Sequence, residues 1–436
     1  MNPILIGFVG IALLFVSILL GVNVLVALGL VGALGLFSIV GFEGATSMLS
    51  TIFFDTTHSF HFVVIPLFLL MGYFAMAAGL GRDMFDAANK WLGNTRGGLA
   101  IASTIGAAAF GAASGSSVGT ATVFTKIALP EMLDRGYNKS LASASIAIAG
   151  TLAVMIPPSA LVVVYGILTD SSIGGLLIAG IIPGIIFAFL LCITTYITVS
   201  RRPDLAPMTY IKRSWGERFY SLRLAGPLLC IVLGVMSGLY LGVFTPTEAG
   251  AAGAFLTLLL ALIRKRSLAA IQLKKTLLDT VRATSMIFGI IICALLFSRF
   301  LAISGLSTTM GDFLTSLEVN RWVVVFLITI IYLIFGMMMD APALLAITLP
   351  ITHPVMMKLG FDPIWFGIFV VLLAEIGAVT PPVGINCFVV QGASEGRLEL
   401  EDVFRGLLPY ILAGFVMLLL LCLFPEMATY LPSKMK

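Results

Sequence analysis

The chain has 436 residues, of which 59% are hydrophobic and 11% are charged, and its mean hydropathy is +1.10. Soluble domains carry about 25% charged residues, so this composition excludes a soluble globular protein and indicates an all-α, multi-pass membrane protein. The formal net charge of +4 is small, and the basic residues cluster at the edges of apolar runs. This pattern indicates a lipid bilayer as partner and gives no support for nucleic acid.

Apolar stretches close to the roughly 20 residues that a helix needs to cross a bilayer recur along the chain. The predicted spans are 4–20, 23–40, 62–80, 140–168, 173–199, 225–241, 249–263, 283–302, 363–391 and 404–424. No basic segment or small-residue cleavage site accompanies the first run, so it is predicted to be a retained span. The stretches 98–128 and 321–357 are also apolar, but small polar residues interrupt them, so they are not predicted to be simple transmembrane spans.

Two segments rich in Lys and Arg, 201–223 and 264–282, set the predicted orientation. Cytoplasmic loops carry an excess of these residues, and two spans separate the segments, so both are predicted to be cytoplasmic. Each is predicted to hold an amphipathic helix on the membrane surface, anchored in the first by Trp215, Phe219 and Tyr220. Counting the spans outward from these two cytoplasmic segments places both ends of 98–128 on the cytoplasmic side and both ends of 321–357 on the periplasmic side. These two stretches are therefore predicted to be re-entrant hairpins that enter from opposite faces. The same count predicts that both termini are periplasmic.

The regions that end in the two proline pairs form an internal repeat. Gly136 precedes Pro157 by 21 residues and Gly360 precedes Pro381 by 21 residues, which places the copies 224 residues apart. A Leu-Pro pair and a hairpin with a polar tip precede each copy. Because the charge map orients the copies oppositely, the sequence predicts an inverted repeat of hairpin and broken helix, as in many secondary transporters.

Proline pairs 157–158 and 381–382 interrupt apolar runs. Proline lacks an N–H and clashes with the preceding helical turn, so each pair is predicted to break a helix inside the membrane. Backbone groups freed there would cost several kcal/mol each in lipid. They are tolerated where they face a polar cavity, bind a hard cation such as Na⁺ through oxygens, or offer a positive helix end to an anion.

The hairpin tips supply further polar groups. The first tip reads GAASGSSVGT (residues 111–120), with glycines that permit a tight turn and four hydroxyls. The second reads GMMMDAPA (residues 336–343), with Asp340 as its only charge. Beside the breaks lie Ser159 in the first copy and Thr380, Gly384 and Asn386 in the second. The sequence therefore predicts two clusters of small polar groups.

Four charged residues in or beside the spans need a role. An acid inside a membrane is a functional candidate, and Asp340 either binds an ion or caps the second helix of its hairpin. Glu375 is a proton or ion group or ties two helices together, and the structural role is favoured. Glu248 is predicted to cap the following span. Arg299 snorkels, pairs with an acid near the outer face, or binds a substrate carboxylate.

The motifs GAASGSSVGTATVF, LPEMLDRGY, IPPSALVVVYG, GMMMDAPALLAITLP, GFDPIWFG and IGAVTPPVGIN together resemble a known family. The chain is similar, over nearly its whole length, to the large membrane subunit of TRAP (tripartite ATP-independent periplasmic) transporters of the DctM/SiaM type. It departs from the family at Gly119-Thr120, where Ala-Asp is frequent, and at Leu373, where Asn is common.

The resemblance implies Na⁺-coupled import of an organic acid, such as a C4-dicarboxylate, sialic acid or a similar carboxylate, across a bacterial inner membrane by an elevator movement. It implies two partners, a small four-helix membrane subunit and a periplasmic substrate-binding protein. The expected domains are N-terminal scaffold spans (1–80), transport repeat 1 (81–199, with hairpin 98–128 and broken helix 140–168), cytoplasmic arm helices and scaffold spans (200–282), and transport repeat 2 (283–424, with hairpin 321–357 and broken helix 363–391).

The sodium sites of the family lie where hairpin tips meet broken helices. Carried over to this sequence, the first site comprises Ser114, Gly115, Ser116, Ser117, Pro157, Pro158 and Ser159. The second comprises Gly336, Asp340, Thr380, Pro381, Pro382, Gly384 and Asn386. Candidate substrate contacts are Ser116, Ser159 and Asn386, and no cofactor is implied beyond Na⁺ as coupling ion.

Two alternative functions stay open. No Walker motif is present, so the chain is not expected to hydrolyse ATP or to be an enzyme, and ions must drive transport. A self-contained Na⁺/dicarboxylate symporter would take up substrate without a binding protein. An ion channel would show a conductance that ignores the Na⁺ gradient.

Overall fold

The computed structural model describes residues 2–208, 213–266, 272–316 and 320–435, and every regular element there is helical. The helices are α1 Pro3–Leu19, α2 Val24–His58, α3 Val64–Ala77, α4 Leu80–Leu92, α5 Gly98–Ser114, α6 Ser117–Asp134, α7 Lys139–Met155, α8 Ala160–Thr169, α9 Ile173–Ala179, α10 Ile181–Arg201, α11 Trp215–Tyr240, α12 Pro246–Lys265, α13 Leu273–Ser304, α14 Leu306–Ser316, α15 Arg321–Gly336, α16 Ala341–Lys358, α17 Pro363–Gly377, α18 Ile385–Ala393, α19 Leu400–Leu423 and α20 Glu426–Ser433. Within these ranges seven helical segments are long and apolar enough to cross a membrane, and the α7–α8 pair, bent by 47°, makes an eighth. The all-α polytopic class is confirmed.

The predicted repeat is present as two units with the same order of elements. Each unit has a hairpin (α5–α6 and α15–α16) followed by a broken helix (α7–α8 and α17–α18). The residues that cap equivalent helices keep the 224-residue offset, since Ser116 corresponds to Asp340 and Asn138 to Asp362. Both hairpins and both breaks therefore lie where the sequence places them.

The first halves of the broken helices, α7 and α17, form the centre of the fold. Every residue of 141–155 and 365–377 is buried. A helix that is apolar on all sides lies in the core of a large protein or within a membrane, and the burial of α7 and α17 places them in the protein core. Helices α5, α6 and α19 pack around α7, and α15, α16 and α19 pack around α17. This arrangement carries the two breaks into the middle of the protein.

The predicted second span, 23–40, ends next to a break in the helical backbone of α2, which runs from Val24 to His58. Gly41 has φ +76° and ψ −178° inside it, a conformation that glycine adopts easily because it has no Cβ. The chain therefore kinks at this position and resumes the helix.

The separate amphipathic helices expected in 201–223 and 264–282 are corrected, although 209–212 and 267–271 lie outside the described residues. Trp215, Phe219 and Tyr220 belong to the first turns of α11, which runs on to Tyr240. Ser214 and Glu217 start this helix with a reciprocal capping box, and the apolar sequence continues it. In the second segment, α13 likewise begins at Leu273 and continues through the expected span. The three aromatic side chains stay exposed at 58–65%, as expected for residues at a membrane surface.

Candidate functional site

The tip of the first hairpin, residues 114–117 (tip 1), is a tight turn between α5 and α6. Gly115 has φ +59° in the left-handed region that favours glycine. Ser116 caps α6, its hydroxyl accepting a hydrogen bond from the Gly119 N–H at 3.2 Å. The hydroxyls of Ser114 and Thr120 lie 2.7 Å apart. The small and hydroxylated residues of this stretch therefore build the turn themselves.

The first helix break, residues 156–159 (break 1), lies directly against tip 1. Pro157 and Pro158 are joined by a cis peptide bond, and neither has an N–H to continue the helix. Ser159 starts α8 by accepting a hydrogen bond from the Val162 N–H at 3.3 Å. A Cβ built on Gly115 would lie 3.1 Å from the Pro158 carbonyl oxygen, so the two main chains meet without a side chain between them.

The second hairpin tip, residues 337–340 (tip 2), meets the second break, residues 378–384 (break 2), in the same way. The Gly384 N–H donates to the Met337 carbonyl at 3.2 Å. At the end of α17, a Cβ built on Gly377 would lie only 2.8 Å from the Cα of Gly336. Asp340 occupies the N-cap position of α16 but makes no side-chain capping bond there. Each hairpin tip is therefore seated on the break of its own repeat.

Two hydrogen bonds join the repeats to each other. The Ser117 hydroxyl of tip 1 donates to Oε1 of Glu375 on α17 at 3.2 Å, across 258 residues of sequence. The Tyr165 hydroxyl of α8 donates to the Pro363 carbonyl at the start of α17 at 2.8 Å. These contacts bring the two clusters predicted from the sequence into one site.

A cavity of about 350 Å³ lies between the two tip–break pairs. Its lining residues are Leu69, Tyr73, Gly115, Ser116, Ser117, Val118, Val154, Ala160, Leu161, Val164, Ala283, Met286, Ile287, Asp340, Ala341, Pro342, Glu375, Ala378, Ile385 and Asn386. Tips 1 and 2 and the helices that follow both breaks contribute to this wall. Helices α3 and α13 close the remaining side. The volume lies within the range of small-molecule sites.

Four helices begin at this cavity. The first residues of α6, α8, α16 and α18 (Ser117, Ala160, Ala341 and Ile385) all line it. Each helix N-terminus carries about half a positive charge and free N–H groups. The charged side chains among the lining residues are two acids, Asp340 and Glu375, and no base. The positive potential in this cavity therefore comes from the four helix N-termini, and the negative charge comes from the carboxylates of Asp340 and Glu375.

The structure separates the predicted site residues into two groups. Those that line the cavity are Gly115, Ser116, Ser117, Asp340 and Asn386. Those that lie behind the wall, in the tips, breaks and helix ends, are Ser114, Pro157, Pro158, Ser159, Gly336, Thr380, Pro381, Pro382 and Gly384. Ser159 has no exposed surface and its hydroxyl caps α8. The Thr380 hydroxyl donates to the Ile376 carbonyl at 2.6 Å.

The charged residues singled out in the sequence have distinct positions. Glu248 caps α12 together with Thr245, as predicted. Glu375 ties α17 to tip 1, and it also faces the cavity. Arg299 is exposed and does not belong to the cavity lining, which gives no support for a substrate-carboxylate role.

Sequence reasoning missed the wall formed by α3 and α13. Tyr73 and Met286 line the cavity, but each is a single residue in an ordinary apolar span. No periodicity, motif or charge marks such residues, because their role depends only on which helices become neighbours. The carboxylate of Glu375 did carry a signal, an acid inside an apolar run.

Comparisons with known proteins identify the family of this chain and a solved structure with a similar fold. Residues 11–427 match the model of the family described as "Tripartite ATP-independent periplasmic transporter, DctM component". The chain is 36% identical to the "C4-dicarboxylate TRAP transporter large permease protein DctM" of Pseudomonas aeruginosa, over 87% of this chain and 88% of the relative. It is 32% identical to the "Isethionate TRAP transporter permease protein DctMQ" of Oleidesulfovibrio alaskensis, over 88% of this chain and 59% of that protein. The crystal structure of the Alcanivorax borkumensis YdaH transporter is similar in fold, with a TM-score of 0.63 at 15% identity over 88% of this chain and 89% of that one.

Proposed function

The chain belongs to the family of DctM components, the large permeases of tripartite ATP-independent periplasmic transporters, and on this premise we propose that it imports an organic acid in symport with Na⁺ by an elevator movement. The observation that carries the proposal is the cavity between the two tip–break pairs, onto which four helix N-termini open. The expected substrate is a C4-dicarboxylate, sialic acid or a similar carboxylate. The expected location is the bacterial inner membrane.

The cavity suits an organic anion. Helix N-termini favour negative charge and offer N–H donors to it, and four of them open here. In addition, the buried Nδ2 of Asn386 makes no hydrogen bond to any residue that the structure describes. A buried donor without a partner is costly, and a substrate carboxylate would satisfy it. Asn386 is therefore the side chain assigned to substrate binding, and Ser116 lies on the opposite repeat to assist it.

Cations are needed to complete the charge balance. Two carboxylates and an anionic substrate would share one cavity whose lining has no basic side chain. Hard cations take carbonyl, hydroxyl and carboxylate oxygens as ligands, and tips 1 and 2 present these groups in Ser116, Ser117 and Asp340. Na⁺ would be held at each tip–break contact. Each charge that crosses a potential of 100 mV contributes about 2.3 kcal/mol to uptake.

An elevator movement fits the way the helices pack. Each hairpin is seated on its own broken helix, and Ser117 and Tyr165 tie the two repeats together, so the four elements would move as a block. On the opposite side, a Cβ built on Gly72 of α3 would lie 2.7 Å from the backbone of Ser114. Because Gly72 has no side chain, α3 can pack closely against tip 1. Helix α3 belongs to the scaffold expected in 1–80, so the block of hairpins and broken helices would slide past it at this contact.

Two protein partners complete the proposed system. Family membership supports a small four-helix membrane subunit and a periplasmic substrate-binding protein that delivers the acid. The cavity itself is modest in size and has no basic side chain, so a separate binding protein would supply the affinity and the choice of substrate.

Reconstitution tests the proposal. In proteoliposomes that contain the chain and its small subunit, with the binding protein and a radiolabelled C4-dicarboxylate outside, an inward Na⁺ gradient is expected to drive accumulation. Replacement of Na⁺ by choline should reduce uptake to that of empty liposomes, because the cation sites would stay empty. Equal uptake with and without the gradient would contradict Na⁺ coupling.

The same vesicles separate the two alternative functions. Full uptake without the binding protein would identify a self-contained symporter. Currents that persist with equal Na⁺ on both sides and no substrate would identify a channel. Either result would overturn the tripartite mechanism proposed here.

A further inference from the structure

A second cavity, open to the surface, lies at the start of α13 (the basic cleft). Its volume is about 620 Å³. Among the described residues that line it, Lys274, Lys275 and Arg282 are bases and Asp279 is the one acid, so these residues give the cleft a net positive charge. The cleft belongs to the segment 264–282, which its excess of Lys and Arg predicts to be cytoplasmic.

One face of α13 connects the basic cleft with the cavity between the two tip–break pairs (the central cavity). Lys275, Asp279, Arg282 and Met286 are spaced by four, three and four residues, and residues at this spacing share one face of a helix. The first three line the basic cleft and Met286 lines the central cavity. The rise from Arg282 to Met286 is only about 6 Å. The two cavities are therefore neighbours along a single stripe of α13.

Tyr73 of α3 lies at the same junction. It lines the central cavity, and it is close enough to Asp279 of the basic cleft for the two groups to interact electrostatically. The central cavity meets α13 at Ala283, Met286 and Ile287, in the first half of this 32-residue helix. It is therefore nearer to the end of α13 that carries the basic cleft. A molecule that leaves the central cavity between α3 and α13 meets the basic cleft next.

The charges of the two cavities suit an anion that moves outward from the first to the second. The central cavity has two acids, Asp340 and Glu375, and no base among its lining residues, so it repels an organic acid once the coupling cations leave. Arg282 is the first base along the stripe. Its side chain is 78% exposed, and its Nη1 lies 3.9 Å from Oδ1 of Asp279, which is longer than a hydrogen bond. Because ion pairs so exposed are weak, a substrate carboxylate can replace Asp279 as the partner of Arg282.

We propose that Arg282 is an exit site for the organic anion, which binds a substrate carboxylate as the substrate leaves the central cavity for the cytoplasm. This inference rests on the proposed function. A guanidinium group matches a carboxylate with two parallel hydrogen bonds. At physiological ionic strength charges act over about 8 Å, which exceeds the rise of about 6 Å between Arg282 and the central cavity wall at Met286. Lys274 and Lys275 then attract the anion further toward the open end of the cleft.

Uptake into proteoliposomes that contain the chain and its small subunit tests the exit site. The binding protein is supplied outside only, so the chains that work are those with the basic cleft in the vesicle lumen. Na⁺ is kept constant, and choline chloride in the lumen is raised from about 0.01 M to about 0.15 M, which shortens the screening length from about 30 Å to about 8 Å. Sucrose outside balances the osmotic pressure. The initial rate of uptake of a radiolabelled C4-dicarboxylate is measured.

Wild-type uptake is expected to slow as the lumenal salt rises, because the salt screens the attraction between the cleft and the anion. Arg282→Gln should be slower than the wild type by roughly 3- to 10-fold at low lumenal salt, and it should respond less to added salt. Arg282→Lys keeps the charge and should restore most of the rate. Equal rates and salt responses of the wild type and Arg282→Gln would overturn the exit site, as would an Arg282→Lys variant as slow as Arg282→Gln.

Arg223→Gln is the matched control for the loss of one positive charge. Arg223 is exposed on α11, in the other basic segment, and lines neither cavity. This variant should keep the wild-type rate and its response to lumenal salt. A loss as large as that of Arg282→Gln would assign the effect to general surface charge and overturn the exit site.

Failure of the proposed function gives a different result from failure of the exit site. Wild-type uptake that ignores the Na⁺ gradient would contradict Na⁺ coupling, and the comparison between Arg282→Gln and the wild type would still decide on the exit site. A wild type without any uptake of organic acids would contradict both.

Discussion

Replacement of Gly377 by alanine is expected to lower the free energy of unfolding by about 1–3 kcal/mol and to abolish uptake in reconstituted vesicles. The new Cβ would lie 2.8 Å from Cα and 2.9 Å from the carbonyl carbon of Gly336. Both atoms belong to the main chain, so no flexible side chain is available to move aside. The second hairpin would have to shift away from break 2. Thermal unfolding of the purified chain and uptake in proteoliposomes measure the two effects.

Gly392→Ala is the matched control. It makes the same chemical change in α18, where a Cβ would meet no atom within 4 Å. Alanine is more stable than glycine in a helix interior by roughly 0.5–1 kcal/mol, so this variant should be as stable as the wild type or more so, with normal uptake. If the two variants behaved alike, direct contact between hairpin 2 and break 2 would be ruled out.

Replacement of Asn386 by aspartate is expected to slow uptake of the organic acid by about 100-fold, because like charges brought together cost several kcal/mol. The change exchanges the unpartnered Nδ2 for an oxygen at nearly constant shape. It places a third carboxylate beside Asp340 and Glu375 in a cavity lining that has no base. The initial rate of uptake at saturating Na⁺ measures the effect.

Asn138→Asp serves as the control for this charge change. Asn138 is exposed and caps α7 by accepting the Ser140 N–H at 2.9 Å, and aspartate caps helices as well as asparagine does. Uptake by this variant should match that of the wild type. A normal rate for Asn386→Asp would remove Asn386 from the substrate site.

Local chemistry explains why much of the fold could be predicted from the sequence. Proline pairs 157–158 and 381–382 lack N–H groups, so helix breaks follow there in any tertiary setting. The glycine and serine residues of tip 1 encode their own turn, and Glu248 lies three residues after Thr245, the spacing of a capping box. Once the first hairpin and broken helix were recognised, the 224-residue offset of the repeat predicted the positions of the second hairpin and broken helix.

Contacts between distant parts of the chain could not be predicted in this way. The Ser117–Glu375 hydrogen bond joins residues 258 positions apart, and neither residue reveals its partner. The cavity wall from Tyr73 and Met286 depends on how α3 and α13 pack beside the tips. Three further helices, α4, α14 and α20, were not predicted, since 8 to 13 residues fall short of a span.

Binding of radioactive sodium to the purified chain tests most directly whether the two tip–break pairs hold the coupling ion. Saturable binding is expected that unlabelled Na⁺ displaces and choline does not, and it should be weaker in Ser116→Ala, which removes a hydroxyl from the cavity wall. Absence of saturable sodium binding by the folded wild-type chain would contradict the proposed sites.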